Sequence, residues 1–400
     1  MVPLDGEPHN EDSMKTEPQV AQGLLRALSA VVLAAACGDP AGNGSQSETV
    51  LVAAGDGGRF AVFRPEEGIV SRPGPVPEFQ DAYALSHDRA TLYFTAVSTG
   101  VERELFAMDT RSFAFTTRVG LGEVESRSDL SNLTLVGNSS MALSPDGSRL
   151  LLADANRDGV SGVAILDVAS QTPIGFIGPL SVRPDGLKAT APTAGAPGGR
   201  IFAIGTRTPL VVPRTDSLYV IDAASLSIRK AVAIAEAAPE GTGSLFAIEA
   251  SPTGELVYLL GPELLYAYDV GAEAVVASVP APRRGSIAVA PSGGMVYVTD
   301  PGDRREFPGS GLILAFSAVL EPSDPIDLRA EAIEGVFPST DGVAIGVEGD
   351  RLYVISGTGS RGPLFGPQQR RVFVVDAASG AVTERVPLED YGGGPIFVLR

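Results

Sequence analysis

Residues 286–300, SIAVAPSGGMVYVTD, contain the unit from which the fold can be predicted. The unit starts with a short strand of small and β-branched residues, reverses at Ala-Pro-Ser-Gly (290–293), and continues in the alternating run MVYVTD. Proline fixes the φ angle that begins a turn and glycine accepts positive φ values, so this tetrapeptide favours chain reversal. The stretch therefore predicts two antiparallel strands joined by a tight turn.

Copies of this unit recur along the chain. Equivalent turns are SHDR (86–89), SPDG (144–147), SPTG (251–254) and VEGD (347–350). A third strand follows in each copy, at intervals of roughly 50 residues, a period typical of propeller repeats. The last residues of these third strands are Arg64, Asp109, Asp167, Asp222, Asp269, Ser317 and Asp376. We expect the aspartates to accept hydrogen bonds from the turn that follows each strand.

The repeat predicts an all-β, seven-bladed β-propeller over residues 50–400. Sheets of four short strands cannot bury their faces alone, so each blade must pack on its neighbours and the ring must close. Residues 50–54 begin at a second-strand position, and residues 396–399 form an extra innermost strand. We therefore predict that the C-terminal strand completes blade one. The segment around residues 188–222 fits the repeat least well, so six or eight blades also remain compatible with the pattern.

Three segments carry a family resemblance. MVYVTD (295–300), SPDGSRL (144–150) and FVVDAASGAV (373–382) resemble the YVTN-repeat β-propellers. The resemblance extends over residues 50–400 and implies the propeller fold. It leaves the activity open, because related propellers include surface-layer-like proteins, lactonase-like enzymes and proteins without known activity.

The composition of the chain excludes several classes of protein and of binding partner. The chain is 44% hydrophobic and 20% charged, which excludes general disorder. Its formal net charge of −18 argues against nucleic acid as the partner. Two His and one Cys exclude a Cys/His zinc cluster and an internal disulfide framework.

The N-terminal segment predicts export and anchoring. Residues 24–36 are apolar but too short to span a bilayer, and they have the length of a signal-peptide core. We therefore predict a signal peptide over residues 1–36, with Met14 as a possible true start. Leu33-Ala34-Ala35-Ala36-Cys37 resembles the lipobox of bacterial lipoproteins, which implies lipidation of Cys37. A plain secretory cleavage site beside an incidental cysteine is the alternative.

Residues 37–49 then predict a lipidated cysteine and a flexible polar linker. Together with the predicted anchor, this places the propeller in the bacterial cell envelope, on the periplasmic side or at the cell surface. The membrane would be contacted through the lipid.

One segment has the oxygen ligands of a calcium loop. Asp154, Asn156 and Asp158, followed by Gly159, match the start of such a loop. The twelfth position is Ile165, so the bidentate acid is missing. The same residues favour a tight turn between strands two and three of blade three, which is the preferred interpretation. Calcium is the one cofactor for which the sequence gives any indication.

Long, individual loops are predicted on one face of the ring: 120–140, 205–216, 301–311 and 356–371. Function in repeat folds concentrates on such a face. Paired or exposed arginines in and beside these loops predict an anion-binding rim; they are Arg283, Arg284, Arg304, Arg305, Arg361, Arg370 and Arg371. The alternative is chance, because nearly all basic residues of this chain are arginine.

No catalytic residue is assigned. His87 takes the place of the turn proline, and no Gly-x-Ser-x-Gly motif is present to build a Ser-His-Asp triad. We therefore predict a monomeric, non-catalytic propeller that binds a protein or glycan partner through its long-loop face. A lactonase-like hydrolase with its site at the channel mouth is the competing hypothesis.

Overall fold

The computed structural model describes residues 48–53, 60–71, 73, 79–97, 103–121, 133–135, 140–157, 160–180, 183–194, 196–206, 216–235, 245–282, 285–302, 310–332, 339–358, 369–388 and 395–399. All of them belong to one compact unit, residues 46–400. The predicted signal peptide and Cys37 lie outside the described residues. Within the described ranges, no helix is both long and apolar enough to cross a membrane.

The described part of the chain forms seven antiparallel sheets, which are the blades. Each has four strands except blade 3, which has five. From the inner to the outer strand, blade 1 contains β29 (Ile396–Val398), β1 (Val50–Ala53), β2 (Phe60–Arg64) and β3 (Gly68–Ser71); blade 2 contains β4 (Phe79–Leu85), β5 (Thr91–Val97), β6 (Arg103–Asp109) and β7 (Phe115–Gly120); blade 3 contains β8 (Leu133–Leu135), β9 (Met141–Leu143), β10 (Arg149–Arg157), β11 (Val160–Asp167) and β12 (Pro173–Ile177).

The remaining four blades follow in chain order. Blade 4 contains β13 (Arg183–Thr190), β14 (Arg200–Thr206), β15 (Asp216–Asp222) and β16 (Ser227–Ala235); blade 5 contains β17 (Ala247–Ala250), β18 (Leu256–Leu260), β19 (Leu264–Asp269) and β20 (Ala274–Pro280); blade 6 contains β21 (Ile287–Val289), β22 (Met295–Asp300), β23 (Leu312–Ser317) and β24 (Pro322–Asp327); blade 7 contains β25 (Ser339–Ile345), β26 (Arg351–Thr358), β27 (Gln369–Asp376) and β28 (Val382–Pro387). One 3₁₀ turn, η1 (Arg329–Glu331), follows β24.

Seven apolar clusters form the core, one at each junction between neighbouring blades. The second and third strands are covered on both faces, so they consist of nearly continuous apolar residues, as in LVYLL of β18 and LLYAYD of β19. Fourth strands are more exposed, and in FTTRVG of β7 exposed positions alternate with half-buried ones. The cluster between blades 7 and 1 closes the ring.

The predicted closing strand is confirmed. β29 pairs with β1 in antiparallel register, with Val398 opposite Val50 and Ile396 opposite Val52. The amide of Leu399 donates to the carbonyl oxygen of Thr49 at 2.8 Å. The prediction of seven blades is therefore confirmed, together with all seven third-strand ends.

The two ends of the ring are built differently. The turn face carries the connections from first to second and from third to fourth strands; the loop face carries the remaining connections. The first-to-second turns of blades 2, 3, 5, 6 and 7 each contain five residues between strand ends. On the loop face, the second-to-third connections range from residues 158–159 in blade 3 to residues 301–311 in blade 6.

Blades 3 and 4 depart from the regular pattern. β10 pairs with both β8 and β9 on the same side, which gives blade 3 its fifth strand. In blade 4, residues 191–199 replace the five-residue turn and contain a bridge between Thr193 and Ala196. This longer connection explains why the sequence repeat is least regular there.

Candidate functional site

A central channel is shared by all seven blades. The inner strands of all seven blades line a cavity of about 670 Å³. This volume lies within the usual range for small-molecule sites. Most of the residues that line it are apolar, because the inner strands contain mainly alanine, valine, isoleucine and leucine.

The registers of the sheets define one layer of this channel. On each inner strand, the layer residue lies two positions before the residue that pairs with the first residue of the second strand or, in blade 1, with Thr49, which directly precedes that strand. For example, the Ser144 amide donates to the Arg149 carbonyl oxygen, so Ala142 is the layer residue of blade 3. From blade 1 to blade 7, this channel layer consists of Phe397, Ala84, Ala142, Lys188, Glu249, Ala288 and Ala344. All seven residues line the cavity.

The channel layer contains one charged pair. Lys188 Nζ lies 2.5 Å from Glu249 Oε1, and the two side chains are 36% and 27% exposed. Glu249 Oε1 also accepts a hydrogen bond from the Ala250 amide at 3.1 Å. Four other blades have alanine at this level, so the pair interrupts an otherwise small and apolar layer.

Local packing positions Lys188. β13 contains a register shift between Pro184 and Gly186, ahead of the lysine. A Cβ atom at Gly186 would lie 2.7 Å from Cγ1 of Ile204 and 3.1 Å from Cγ2 of Ile248. Glycine is therefore required for this close approach, which brings the inner strands of blades 4 and 5 together.

An aromatic pair lies on another part of the wall. The rings of Tyr83 and Phe397 are 5.7 Å apart and inclined by 48°. Phe397 belongs to blade 1, and in a ring of seven, blade 1 faces the junction between blades 4 and 5. The channel therefore has an aromatic side opposite its charged side. Phe246, which is 38% exposed, also lines the cavity.

On the turn face, the aspartates at the third-strand ends form hydrogen bonds within their own turns. Asp109, Asp167, Asp222 and Asp376 each accept hydrogen bonds from the amide and hydroxyl of the serine three residues later. These bonds favour the ionised carboxylate and lower the pKa of each aspartate. The predicted capping role is confirmed.

His87 occupies an exposed turn position beneath the channel. It lies in the turn between β4 and β5, as predicted from its place in the repeat. The neighbouring Ser86 hydroxyl donates to Asp88 and accepts from the Thr91 amide, so the turn is held by side-chain hydrogen bonds on both sides of the histidine.

The structure gives limited information on the predicted calcium ligands. Asp154 and Asn156 lie in β10, but their side chains, and the whole of Asp158, lie outside the described residues. β10 and β11 pair as far as Arg157 and Val160, so the segment connects strands two and three of blade 3. Among the residues that are described, no group of three or more acidic, His or Cys side chains could hold a metal ion. The calcium site stays a prediction.

The predicted arginine rim is placed only in part. Arg370 and Arg371 lie near the start of β27, at its loop-face end, and both are half-buried. The other five predicted rim residues lie outside the described residues; they are Arg283, Arg284, Arg304, Arg305 and Arg361. The rim therefore stays a prediction.

Sequence reasoning missed the channel layer. Aligning the inner strands by their turns shows alanine at the same position in blades 2, 3, 6 and 7, and glutamate in blade 5. Lys188 could not be aligned in this way, because the longer connection after β13 hides its register. Pairing of Lys188 with Glu249 emerges only from the strand registers.

Seven radial sheets around a channel define this chain as a β-propeller. Solved structures similar to it include the following two. A hydrazine synthase chain from Kuenenia stuttgartiensis is 13% identical, with 85% of this chain and 92% of that chain covered at a TM-score of 0.54. The β-propeller domain of Myceliophteria thermophila Cps50 (Swd1) is 12% identical, with 77% and 86% covered at a TM-score of 0.51.

At these identities the likeness shows the fold alone. No family model matches the chain, and no curated protein matches it. The sheet topology and the two similar structures establish the propeller fold. The resemblance to YVTN-repeat proteins stays a prediction.

Proposed function

We propose that this chain is a binding module of the bacterial cell envelope, anchored by a lipid on Cys37, that binds a protein or glycan through its loop face. The observation that carries this proposal is the asymmetry between the two faces. β-Propellers often serve as binding or scaffold modules, and variable loops on one face are where repeat folds concentrate recognition.

The turn face offers little variation for recognition. Its turns have repeated lengths, and the aspartates at the third-strand ends are occupied by hydrogen bonds within their own turns. Loop-face connections differ from blade to blade in length and composition. Selective binding requires such individual surfaces, so the loop face is the better candidate.

The loop-face proposal can be tested by shortening one loop. In blade 5, Gly261-Pro262-Glu263 connects strands two and three, and the Gly261 amide donates to the Leu264 carbonyl oxygen at 2.8 Å. Replacing residues 359–368 of blade 7 with Gly-Pro-Glu should preserve the blade and weaken binding. The probes are cell-wall glycans on an array and envelope proteins cross-linked to the full chain in cells.

A matched variant changes the opposite face of the same blade. Residues 377–381 are replaced with residues 168–172, the corresponding turn of blade 3. This variant should retain every cross-link and glycan signal. Loss of binding in the turn-face variant but not in the loop-face variant would contradict the proposal, as would hydrolysis of a lactone by the full chain without any stable partner.

A separate experiment tests the proposed lipid anchor on Cys37. Bacteria that express the full chain are fed an alkyne-tagged fatty acid, and the purified protein is examined for label. We expect label on the wild type and none on Cys37→Ser. An unlabelled wild type that is released from cells would contradict anchoring while leaving the loop-face result unaffected.

A further inference from the structure

The channel layer has a property that the loop-face proposal does not use. Four of its positions are alanine, and the three exceptions are Lys188, Glu249 and Phe397. Departures from a repeated pattern concentrate at functional sites. An apolar pair of similar size would serve packing equally well, since a buried or half-buried ion pair adds little net stability. Packing therefore does not account for these charges.

We propose that the channel binds a small zwitterion with an apolar or aromatic body, which is the chemistry of a free apolar α-amino acid. This proposal goes beyond the binding function assigned to the loop face and does not depend on it. The ligand carboxylate would lie against Lys188, its ammonium group against Glu249, and its body toward Phe397.

Charge complementarity selects this class of ligand. A simple anion attracted by the Lys188 ammonium would be repelled by the Glu249 carboxylate 2.5 Å away, and a simple cation would meet the opposite conflict. A zwitterion satisfies both charges at once and exchanges one ion pair for two charge-assisted contacts. Both side chains are partly exposed, so they are accessible from within the channel.

The rest of the wall fits the body of such a ligand. Alanine in four blades leaves space at the level of the charges, and the cavity of about 670 Å³ is large enough for an amino acid with its hydration water. Phe397 and Tyr83, whose rings are in contact, provide an aromatic surface on the side of blade 1. Aromatic surfaces favour aromatic and large aliphatic bodies over small ones.

The test measures binding of L-phenylalanine to the full chain by calorimetry and by ligand-observed NMR. Three comparison probes each remove one part of the ligand: N-acetyl-L-phenylalanine lacks the ammonium group, phenethylamine lacks the carboxylate, and glycine lacks the body. We expect saturable binding of L-phenylalanine below about 10 mM, and binding at least about tenfold weaker for the other three.

The decisive variant is Lys188→Ala with Glu249→Ala, which gives blades 4 and 5 the residue already present in four other blades. The melting temperature of this variant checks its fold. We expect binding of L-phenylalanine to be lost. The matched control is Arg229→Ala with Glu273→Ala, which removes an ion pair that also joins blades 4 and 5 but lies on their outer parts. This control should bind as the wild type does.

Three results would each overturn the proposal. One is the absence of L-phenylalanine binding at about 10 mM. Another is equal binding of N-acetyl-L-phenylalanine, which would show an anion site. The third is unchanged binding in the Lys188/Glu249 double variant.

Discussion

Blade 1 and blade 6 are four-stranded sheets of the same kind, but they are built from differently placed segments of the chain. Blade 6 consists of consecutive residues, and its first turn is closed by the Ala290 amide donating to the Met295 carbonyl oxygen at 2.9 Å. In blade 1 the corresponding hydrogen bond runs from Leu399 to Thr49, at opposite ends of the described chain. The sheet geometry is therefore kept although no turn connects the two strands. Other interactions must replace the turn.

Glu48 supplies one such interaction, which joins the start of blade 1 to blade 7 rather than to β29. Its side chain is buried, although it lies at the end of the polar segment that the sequence predicts to be a linker. Its carboxylate accepts hydrogen bonds from the Tyr353 hydroxyl and the Val347 amide, both in blade 7. Burial raises the pKa of Tyr353, and the bond to Glu48 adds to this rise because it holds the phenol protonated. A side chain thus ties blade 1 to blade 7.

The comparison predicts the largest effect for removal of β29. Deleting residues 395–400 exposes the inner edge of β1 and removes the buried side chains of Ile396, Val398 and Leu399. At roughly 1.5–3 kcal/mol for each buried aliphatic side chain, the free energy of unfolding should fall by about 5 kcal/mol or more. Urea denaturation followed by circular dichroism measures this change.

A point substitution on the outer strand of blade 3 serves as the control for the truncation. Ile174→Ala changes a residue that is 39% exposed, so its unfolding midpoint should move little. A truncated chain that unfolds at the urea concentration of the full chain would show that blade 1 does not need its fourth strand.

Much of the fold was predictable because its signals are local and repeated. Third-strand ends such as Asp109 and Asp376 coincide with the end of β6 and β27, since each aspartate caps the turn that follows. Turns such as residues 144–147 come just before the second strands. They are also recognisable locally, because proline and glycine favour chain reversal. Because the same local pattern recurs in most blades, each copy strengthens the prediction made from the others.

Two features were not predictable in this way: the latch, which is the pair of hydrogen bonds from Tyr353 and Val347 to Glu48, and the channel pair of Lys188 and Glu249. Glu48 is an acid in a polar stretch, and its partners Tyr353 and Val347 are about 300 residues away in sequence. Lys188 and Glu249 belong to different blades, and the irregular connection in blade 4 hides their common level. Both features are long-range pairings, for which a single sequence contains no local signal.

Tyr353→Phe should show the next largest effect. The substitution removes one of the two hydrogen bonds to the buried Glu48 carboxylate, and hydrogen bonds to charged groups contribute about 1.5–3 kcal/mol. Tyr258→Phe is the matched control in a blade of continuous chain, because its hydroxyl donates to the uncharged Ala318 carbonyl oxygen at 2.9 Å. We expect a loss of about 0.5–1.5 kcal/mol there. Equal losses in urea denaturation would argue against a special role for the latch.

Gly346→Ala should weaken the same latch through sterics. A Cβ atom at this position would lie 2.6 Å and 2.8 Å from the two carboxylate oxygens of Glu48. Such crowding typically costs about 1–3 kcal/mol, and we expect the lower half of this range because the N-terminal segment can shift. Thermal unfolding of Gly346→Ala in a Glu48→Ala background provides the control, since the clash is then absent. Additive effects of the two substitutions would contradict the proposed contact.

The smallest effect is expected in the turn between β9 and β10 of blade 3. Blade 1 has no such turn, because its first two strands come from opposite ends of the described chain. Asp146 accepts hydrogen bonds from the Ser144 hydroxyl and the Ser148 amide, and these lower its pKa to about 2. Because the folded-state pKa lies below the ordinary value of about 3.9, this carboxylate stabilises the fold above about pH 4 and stops doing so as the pH falls toward 2.

Asp146→Asn should therefore lower the free energy of unfolding at pH 7 by less than about 1 kcal/mol, since the turn is largely exposed. The difference from the wild type should shrink as the pH falls toward 2, where about half of the wild-type carboxylate is protonated. Ser144→Ala should produce the same pH dependence, and the double variant should add little, because both substitutions remove one shared hydrogen bond. Urea titrations between pH 7 and pH 2 measure all three. A difference that persists unchanged at the lowest pH would mean that Asp146 acts through turn shape rather than through its charge.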